Sequence, residues 1–248
     1  MRSAAGHPVL HFERIDSTNI EARRLAEQGE RGPLWLVADQ QDGGRGRLGR
    51  NWVSEPGNLY ATFLFAISTG PEIAAQAGLV AAVAVQEAVS RLRPDLAVRI
   101  KWPNDLLIGG AKFCGILSEV VGTSPTRIAL GCGINVAHAP KDTPYPATAL
   151  GLRCTVESVF QELDSSLSNC LKIWDEGRGF EAIRAAWTAA ALGIGGQVTA
   201  SIAGEATSGI FAGIAPDGAL LLQTGDGELR PIHSGEVRFA ALEELRQA

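Results

Sequence analysis

The sequence predicts an α+β fold: a mixed β-sheet domain packed with helices, followed by a small C-terminal all-β barrel. Helical and extended periodicities alternate from Thr18 to Ala191. The texture then changes. From Gly193 onward, Gly195-Gly196, Asp217-Gly218 and Asp226-Gly227 interrupt short β-rich runs such as Val198 to Ile202 and Ala219 to Leu222. The chain has 248 residues, 46% of them hydrophobic and 20% charged, which is enough for one large unit and one small one. The 193–196 glycine cluster sets the expected boundary, with domains at 1–194 and 195–248.

Thr18 followed by Glu21 has the form of a capping box for a first helix, and Gly29 is placed to stop it. Leu34 to Ala38 is expected as a strand. Asn58 to Ile67 is expected as a second, with Leu59, Phe63, Phe65 and Ile67 on one face. Pro71 to Leu92 is expected as a long apolar helix. Val98 to Ile108 and Lys112 to Val121 are expected as strands joined by Gly109-Gly110, which tolerates the positive φ of a tight hairpin. Arg127 to Val136 should be their neighbour in the sheet. Helices are expected over Val156 to Trp174 and Phe180 to Ala191, the second patterned by Ile183, Trp187 and Leu192.

The formal net charge of −5 lacks the footprint of a nucleic-acid binder. The apolar run Gly78 to Val85 is too short and alanine-rich to span a bilayer, and no targeting segment is visible. Cys114, Cys132, Cys154 and Cys170 are not at metal-ligand spacing, so free thiols in a reducing cytosol are expected. The four histidines form no cluster, and no G-x-S-x-G elbow occurs.

The most informative segment runs from Gly44 to Arg50, followed by Asn51-Trp52. Glycines let backbone wrap closely round a ligand, and the interleaved guanidinium forks can bind phosphate bidentately. A solvated basic loop is the plain alternative, but such loops rarely carry glycine at every second or third position. Gly44, Gly46 and Gly49 satisfy G-x-G-x-x-G, yet the residues after them hold a Pro56-Gly57 break where a dinucleotide fold needs a helix. In Lys101-Trp102-Pro103-Asn104-Asp105, proline interrupts the ladder so that Asn104 and Asp105 can project, and a carboxylate there can hold magnesium on phosphates. A simple turn has the same composition. Lys112 opens an otherwise apolar strand and suits an anionic ligand, although a surface edge lysine looks alike. Gly131 and Gly133, with Asn135 after them, suggest close backbone approach to a ligand, or a bulge.

In order and spacing, GRGRLGR with Trp52, KWPNDL, KFCGILSE and GCGINV resemble the biotin–protein ligase family. So do Asp16-Ser17-Thr18-Asn19, Ala38-Asp39-Gln40-Gln41, Gly218-Ala219-Leu220-Leu221 and Gly235-Glu236-Val237, so that the resemblance covers nearly the whole chain. It implies an ATP-dependent ligase that makes biotinyl-5'-AMP and transfers biotin to a lysine of a biotin carboxyl carrier domain, with ATP and biotin as substrates and Mg2+ as cofactor. Ser17, Thr18, Asn19 and Gln41 would bind the ureido ring. Gly44, Arg45, Gly46 and Arg47 would close over the ligand, with Gly115 and Ile116 lining its pocket. Arg50, Trp52, Asn104 and Asn135 would meet ATP or the adenylate. Lys112 would contact both carboxylate and phosphate, Asp105 would serve the ATP step and its metal, and Lys112, Arg47 and Asp105 form the implied catalytic set. Asp42-Gly43 departs from the family pattern by adding a negative charge beside an anionic intermediate.

Repressor members carry a DNA-reading module first. Only 16 residues precede Ser17 here, too few for three helices of about 11 residues. The expectation is a cytoplasmic ligase without DNA or membrane partners, and a homodimer is allowed. A lipoate–protein ligase shares the fold and adenylate logic, and a non-catalytic biotin- or nucleotide-sensing regulator is the alternative of another class.

Overall fold

The computed structural model describes residues 2–141, 143–202, 205–240 and 242. The larger unit comprises β1 (Val9–Phe12), α1 (Thr18–Glu27), β2 (Leu34–Ala38), β3 (Leu59–Ile67), α2 (Pro71–Ala74), α3 (Ala77–Leu92), β4 (Val98–Lys101), β5 (Asp105–Ile108), β6 (Ala111–Thr123), β7 (Thr126–Ile134), α4 (Val156–Trp174) and α5 (Phe180–Ala190). Its seven-stranded sheet has the order β1-β2-β3-β7-β6-β5-β4. The β1–β2 pair is parallel and the other neighbours are antiparallel. The smaller unit comprises β8 (Gln197–Ile202), β9 (Glu205–Ile214), β10 (Leu220–Gln223), β11 (Leu229–Ile232) and β12 (Glu236–Phe239). These form a five-stranded antiparallel sheet with β11 and β12 at its edges. Residues 243–248 of the expected second domain lie outside the described residues.

Alternation along the central strands divides the large sheet into two unlike faces. Ile128, Leu130, Cys132 and Ile134 of β7 join Leu59, Phe63 and Phe65 of β3 in a core closed by α3, α4 and α5. The intervening Ala129, Gly131 and Gly133 face the other way, towards α1, where Ala22 and Ala26 pack with Leu36 and Leu64. The smaller unit shares the main core. Trp187 of α5 meets Phe211 of β9 edge-on at 6.4 Å, and Phe211 meets Phe239 of β12 at 5.9 Å. The chain therefore changes sheet between Ala190 and Gln197 without starting a second hydrophobic core.

The sequence expectations need five corrections. Strand β1 was not anticipated, because its edge position leaves Leu10 and His11 exposed and removes the apolar alternation that marks a strand. Thr18 does not cap α1: Ser17 occupies the N-cap, and the Thr18 hydroxyl donates to Gln41 instead. Pro71 to Leu92 is two helices, parted at Ala75-Gln76. The Gln76 amide accepts from Trp174 Nε1 at 2.7 Å and donates to the Pro216 carbonyl at 3.2 Å, which ties α4 and the small unit to that junction. The run from Val98 to Ile108 is two strands, because Pro103 has no N–H for the ladder and the chain reverses at Trp102-Pro103-Asn104. Finally, α4 carries an unanticipated capping box between Thr155 and Ser158.

By length and composition, Pro71–Leu92 could cross a bilayer. Here it is broken at Ala75-Gln76 and most of it is buried, with α3 packed on α4, α5 and the sheet in the core of the fold. Cys114, Cys132, Cys154 and Cys170 are all free and buried. Burial pushes the Cys132 thiol up to about 12, which keeps it protonated and unreactive.

Asp164 of α4 fastens the N-terminal segment to this core. Its buried carboxylate accepts from Trp35 Nε1 at 2.7 Å and the Ala5 N–H at 2.6 Å, and pairs with His7 Nδ1 at 2.7 Å. Burial opposes its ionisation, but the Ala5, His7, Trp35 and Ser3 hydrogen bonds outweigh that and hold the carboxyl below its ordinary value of 3.8. A depressed carboxyl contributes stability above its unfolded value and loses it as pH falls through the folded one. Asp164→Leu should lose about 2–4 kcal/mol at pH 7, since the Trp35, Ala5 and His7 donors are left without their acceptor. Its deficit against wild type should shrink as pH falls below about 3.8. Urea titrations at pH 7 and pH 3 check this, and an equal deficit at both would refute the anchor.

Candidate functional site

A cavity of about 560 Å3 opens on the α1 side of the sheet, within the range of small-molecule sites. Its floor is the glycine face of β6 and β7, where Gly115 and Gly133 lie opposite each other. The first turn of α1 and Gln41 wall one end. Arg47 and Lys112 reach the other, and β12 contributes Glu236 and Arg238 to the rim.

The α1 end is a neutral polar nest. Gln41 Oε1 accepts from the Thr18 backbone N–H at 2.8 Å and from its hydroxyl at 3.1 Å, while Gln41 Nε2 donates to Ser54 Oγ at 2.9 Å. Thr62 Oγ1 lies 2.8 Å from Thr18 Oγ1 and 2.6 Å from Asn19 Oδ1, so its single proton serves one of the two. Asn19 Nδ2 donates to Glu119 Oε2 at 2.8 Å and to the Leu117 carbonyl at 3.2 Å. Gly131 makes room for this arrangement: a Cβ there would lie 2.2 Å from Asn19 Oδ1.

The far end is charged. Lys112 Nζ pairs with Asp105 Oδ1 at 2.6 Å and lies 5.2 Å from the centroids of both Trp52 and Tyr145. Arg47 Nη1 donates to Asn104 Oδ1 at 3.4 Å. Burial pushes the Arg47 guanidinium down, Asp105 opposes that, and Arg50 adds to it. The group nevertheless stays charged, as arginine does in proteins. Between them, the arginine loop closes on itself through Gly46 N–H to the Arg50 carbonyl at 2.8 Å and Trp52 N–H to the Gly44 carbonyl at 2.9 Å. Leu48 at its tip has a φ of 56° and is 75% exposed.

Of the residues predicted from sequence, Ser17, Thr18, Asn19, Gln41, Arg45, Gly46, Arg47, Arg50, Trp52, Asn104, Asp105, Lys112, Gly115 and Ile116 all border this cavity. Several do so differently from expectation. Ile116 borders it while its side chain, 2% exposed, belongs to the core, because alternation turns Gly115 and not Ile116 to the ligand side. Asn104 has its side chain engaged, donating to the Ile116 carbonyl at 2.9 Å and accepting from Arg47. Arg50 forms an ion pair with Glu236, which joins the arginine loop to the smaller unit.

Gly44 and Asn135 are not cavity residues. Gly44 is small because a Cβ would lie 2.4 Å from the Trp52 carbonyl across the loop. Asn135 is buried and donates to the Thr148 carbonyl at 3.0 Å, bracing the segment that carries Tyr145. The floor glycines also have an occupant from the chain itself. A Cβ on Gly133 would lie 2.6 Å from the Trp52 indole, and one on Gly115 would lie 2.9 Å from it. Asp42 lies beyond the cavity and its charge is paired with Arg14, at 2.8 Å.

Thr62, Ser54, Leu117 and Tyr145 were missed. A threonine within the apolar run of β3 was a legible signal for the first, since a buried hydroxyl needs a partner. Nothing local marked the others.

A two-faced mixed sheet, a cavity with a neutral polar end and a cationic end, and a β module at its rim define the class: residues 11–135 match the Biotin/lipoate A/B protein ligase family. Residues 193–239 match the Biotin protein ligase C terminal domain. The chain belongs to the biotin protein ligase family. It is 37% identical to the biotin–[acetyl-CoA-carboxylase] ligase of Paracoccus denitrificans, over 91% of this chain and 98% of that one. It is 29% identical to the bifunctional ligase/repressor BirA of Bacillus subtilis, covering 94% of this chain and 74% of that protein. The structure of biotin protein ligase from Aquifex aeolicus in complex with biotin and ATP superposes with a TM-score of 0.79 at 28% identity, over 94% and 99% of the two chains. The Leishmania major ligase in complex with biotinyl-5-AMP shares the fold at 22% identity and a TM-score of 0.64, over 91% and 98%.

Trp52 is half-buried, whereas Trp35, Trp102, Trp174 and Trp187 are at most 3% exposed, so collisional quenching of tryptophan fluorescence reports chiefly on Trp52. Gly133→Ala should drive the indole off the floor and raise its quenching by acrylamide. The increase should vanish when Trp52→Phe is added. Equal quenching in wild type and Gly133→Ala would show that the indole does not rest there.

Proposed function

We propose that this chain activates biotin with ATP to biotinyl-5'-AMP and transfers the biotinyl group to a lysine of a carboxyl carrier domain. The observation that carries the reading is the polarity of the cavity, with a neutral hydrogen-bonding nest at one end and Lys112 and Arg47 at the other. Biotin has that polarity: a ureido head with one carbonyl and two N–H groups, an apolar body and a carboxylate tail. Thr18, Asn19 and Gln41 offer both donors and acceptors to the head, whose burial would otherwise be costly, and the buried Thr62 hydroxyl braces Thr18 and Asn19 from behind. A lipoyl dithiolane has neither donor nor strong acceptor and would leave the nest without purpose. Glycine at 115 and 133 suits the body, which needs close backbone approach.

At the charged end, Lys112 and Arg47 would align the carboxylate with the α-phosphate. A carboxylate oxygen attacks phosphorus, the bond to the β-phosphate oxygen breaks, and pyrophosphate leaves. Both groups are present before reaction, so stabilisation of the developing charge requires little rearrangement. Among the described residues no cluster of three or more acidic, cysteine or histidine side chains forms a metal cage. Asp105 alone suits a magnesium ion carried largely by nucleotide phosphates and water, an ion that would neutralise phosphate charge. In the second half-reaction the neutral carrier amine attacks the acyl carbon, loses a proton and expels AMP. The acceptor class follows the Paracoccus relative, named as a biotin–[acetyl-CoA-carboxylase] ligase.

The direct test is exchange of labelled pyrophosphate into ATP. Wild type should exchange only with biotin and magnesium present, and exchange with lipoate in place of biotin would overturn the reading. Lys112→Ala should fold normally and exchange more than tenfold more slowly, as expected from losing a charge-assisted contact worth about 1.5–3 kcal/mol. An unchanged rate would remove Lys112 from the reaction.

A further inference from the structure

We infer that Tyr145 is a positioning residue for the Lys112 ammonium, holding it at the charged end of the cavity while its other two partners are engaged by ligand. The inference rests on the proposed reading of the cavity. It starts from the three groups around Lys112 Nζ: the Asp105 carboxylate at 2.6 Å and the rings of Trp52 and Tyr145, each 5.2 Å away at the centroid. The Lys112 side chain is only 14% exposed, and a cation with so little access to water gains from an aromatic face.

Two of the three partners have other work when the cavity fills. Trp52 stands over Gly115 and Gly133, where a bound ligand must share or take its space. Asp105 is the carboxylate available to a phosphate-bound metal, and an incoming anion competes with it for the ammonium. Tyr145 also borders the cavity, but it neither stands over the floor glycines nor carries a charge for which a metal or an anion competes. The backbone on its C-terminal side is joined directly to Lys112: the Lys112 N–H donates to the Pro146 carbonyl at 2.8 Å, and the Thr148 N–H donates to the Lys112 carbonyl at 2.9 Å. Asn135 Nδ2 fixes the same segment through the Thr148 carbonyl. Pro144 and Pro146 flank Tyr145 and restrict its backbone, and Thr143 Oγ1 donates to its carbonyl at 2.6 Å. The ring thus sits on a stiff arm whose register is set by the same residue whose ammonium it faces, and the flexible lysine stem is biased to it.

The mechanism uses the face of the ring, so phenylalanine should substitute and leucine should not. Calorimetric titration with biotin in the absence of ATP, alongside pyrophosphate exchange, tests this in wild type, Tyr145→Phe and Tyr145→Leu. The two variants are also made in a Lys112→Met background, and circular dichroism confirms folding throughout. Tyr145→Leu should weaken biotin about three- to tenfold, as expected of a partly desolvated cation–π contact. Tyr145→Phe should stay within about twofold of wild type, and Tyr145→Leu should have no further effect once Lys112 is methionine. Equal weakening in both backgrounds would overturn the inference, because the ring would then act without the lysine. A raised KM for ATP with unchanged biotin affinity would also overturn it, by assigning the ring to the nucleotide. If wild type binds no biotin, the functional reading itself fails, and the first titration shows that before any variant is compared.

Discussion

The cavity depends on one constraint: the central strands must be bulky on one face and nearly bare on the other. On β7, Leu130, Cys132 and Ile134 fill the core while Gly131 and Gly133 face α1. On β6, Gly115 lies opposite Gly133, and on β3 the small hydroxyl of Thr62 lies opposite Gly131. A side chain added at any of these glycines would collide with Asn19 or Trp52. Because the side-chain period of a strand is two residues, a one-residue slip in register would turn this bare face into the core and bury the bulky one in the site. The heavy packing of α3, α4 and α5 on the far face therefore fixes the register on which the cavity relies.

On that floor the polar groups are arranged by charge. The neutral nest around Gln41 is closed by hydrogen bonds among Thr18, Asn19, Ser54 and Thr62, so the donors and acceptors offered to a ligand are already oriented. At the other end three of the cations have these protein partners: Lys112 has Asp105, Arg47 has Asn104, and Arg50 has Glu236. The Arg50–Glu236 pair is largely exposed and, like other surface pairs, worth roughly 0–1 kcal/mol. It is nonetheless the contact through which the small unit touches the arginine loop, and the shared core of Trp187, Phe211 and Phe239 keeps that unit in position.

Close approach was legible in the glycines, but what approaches was not. Gly44 admits the carbonyl of its own loop, and Gly133 and Gly115 admit the ring of Trp52, which lies far from them in sequence. Asn135 looked like a ligand contact because it ends an apolar strand, yet its Nδ2 donates to the Thr148 carbonyl and braces the segment that carries Tyr145. The Pro-Asn-Asp segment satisfied two readings at once: its backbone is the turn between β4 and β5, and the Asp105 side chain after it faces the cavity.

By itself the sequence determined the elements whose periodicity is strong and local: β3, the long apolar α3, the Gly109-Gly110 hairpin, α4 and α5, and the change of texture near Gly193. It also pointed to anion binding through the glycine-spaced arginines, while a lysine opening an apolar strand was as compatible with a surface edge as with an anion site. Only the tertiary structure decided which of these residues meet. Lys112, Trp52, Asp105 and Tyr145 come from four separate segments, and Thr62 reaches Asn19 across 43 positions. Such contacts are set by strand order and register, which follow from how the whole core packs. The edge strand β1, the Thr18 hydroxyl taken by Gln41 in place of a helix cap, and the Arg50–Glu236 pair were unreadable for the same reason: in each, a long-range partner outweighs the local preference.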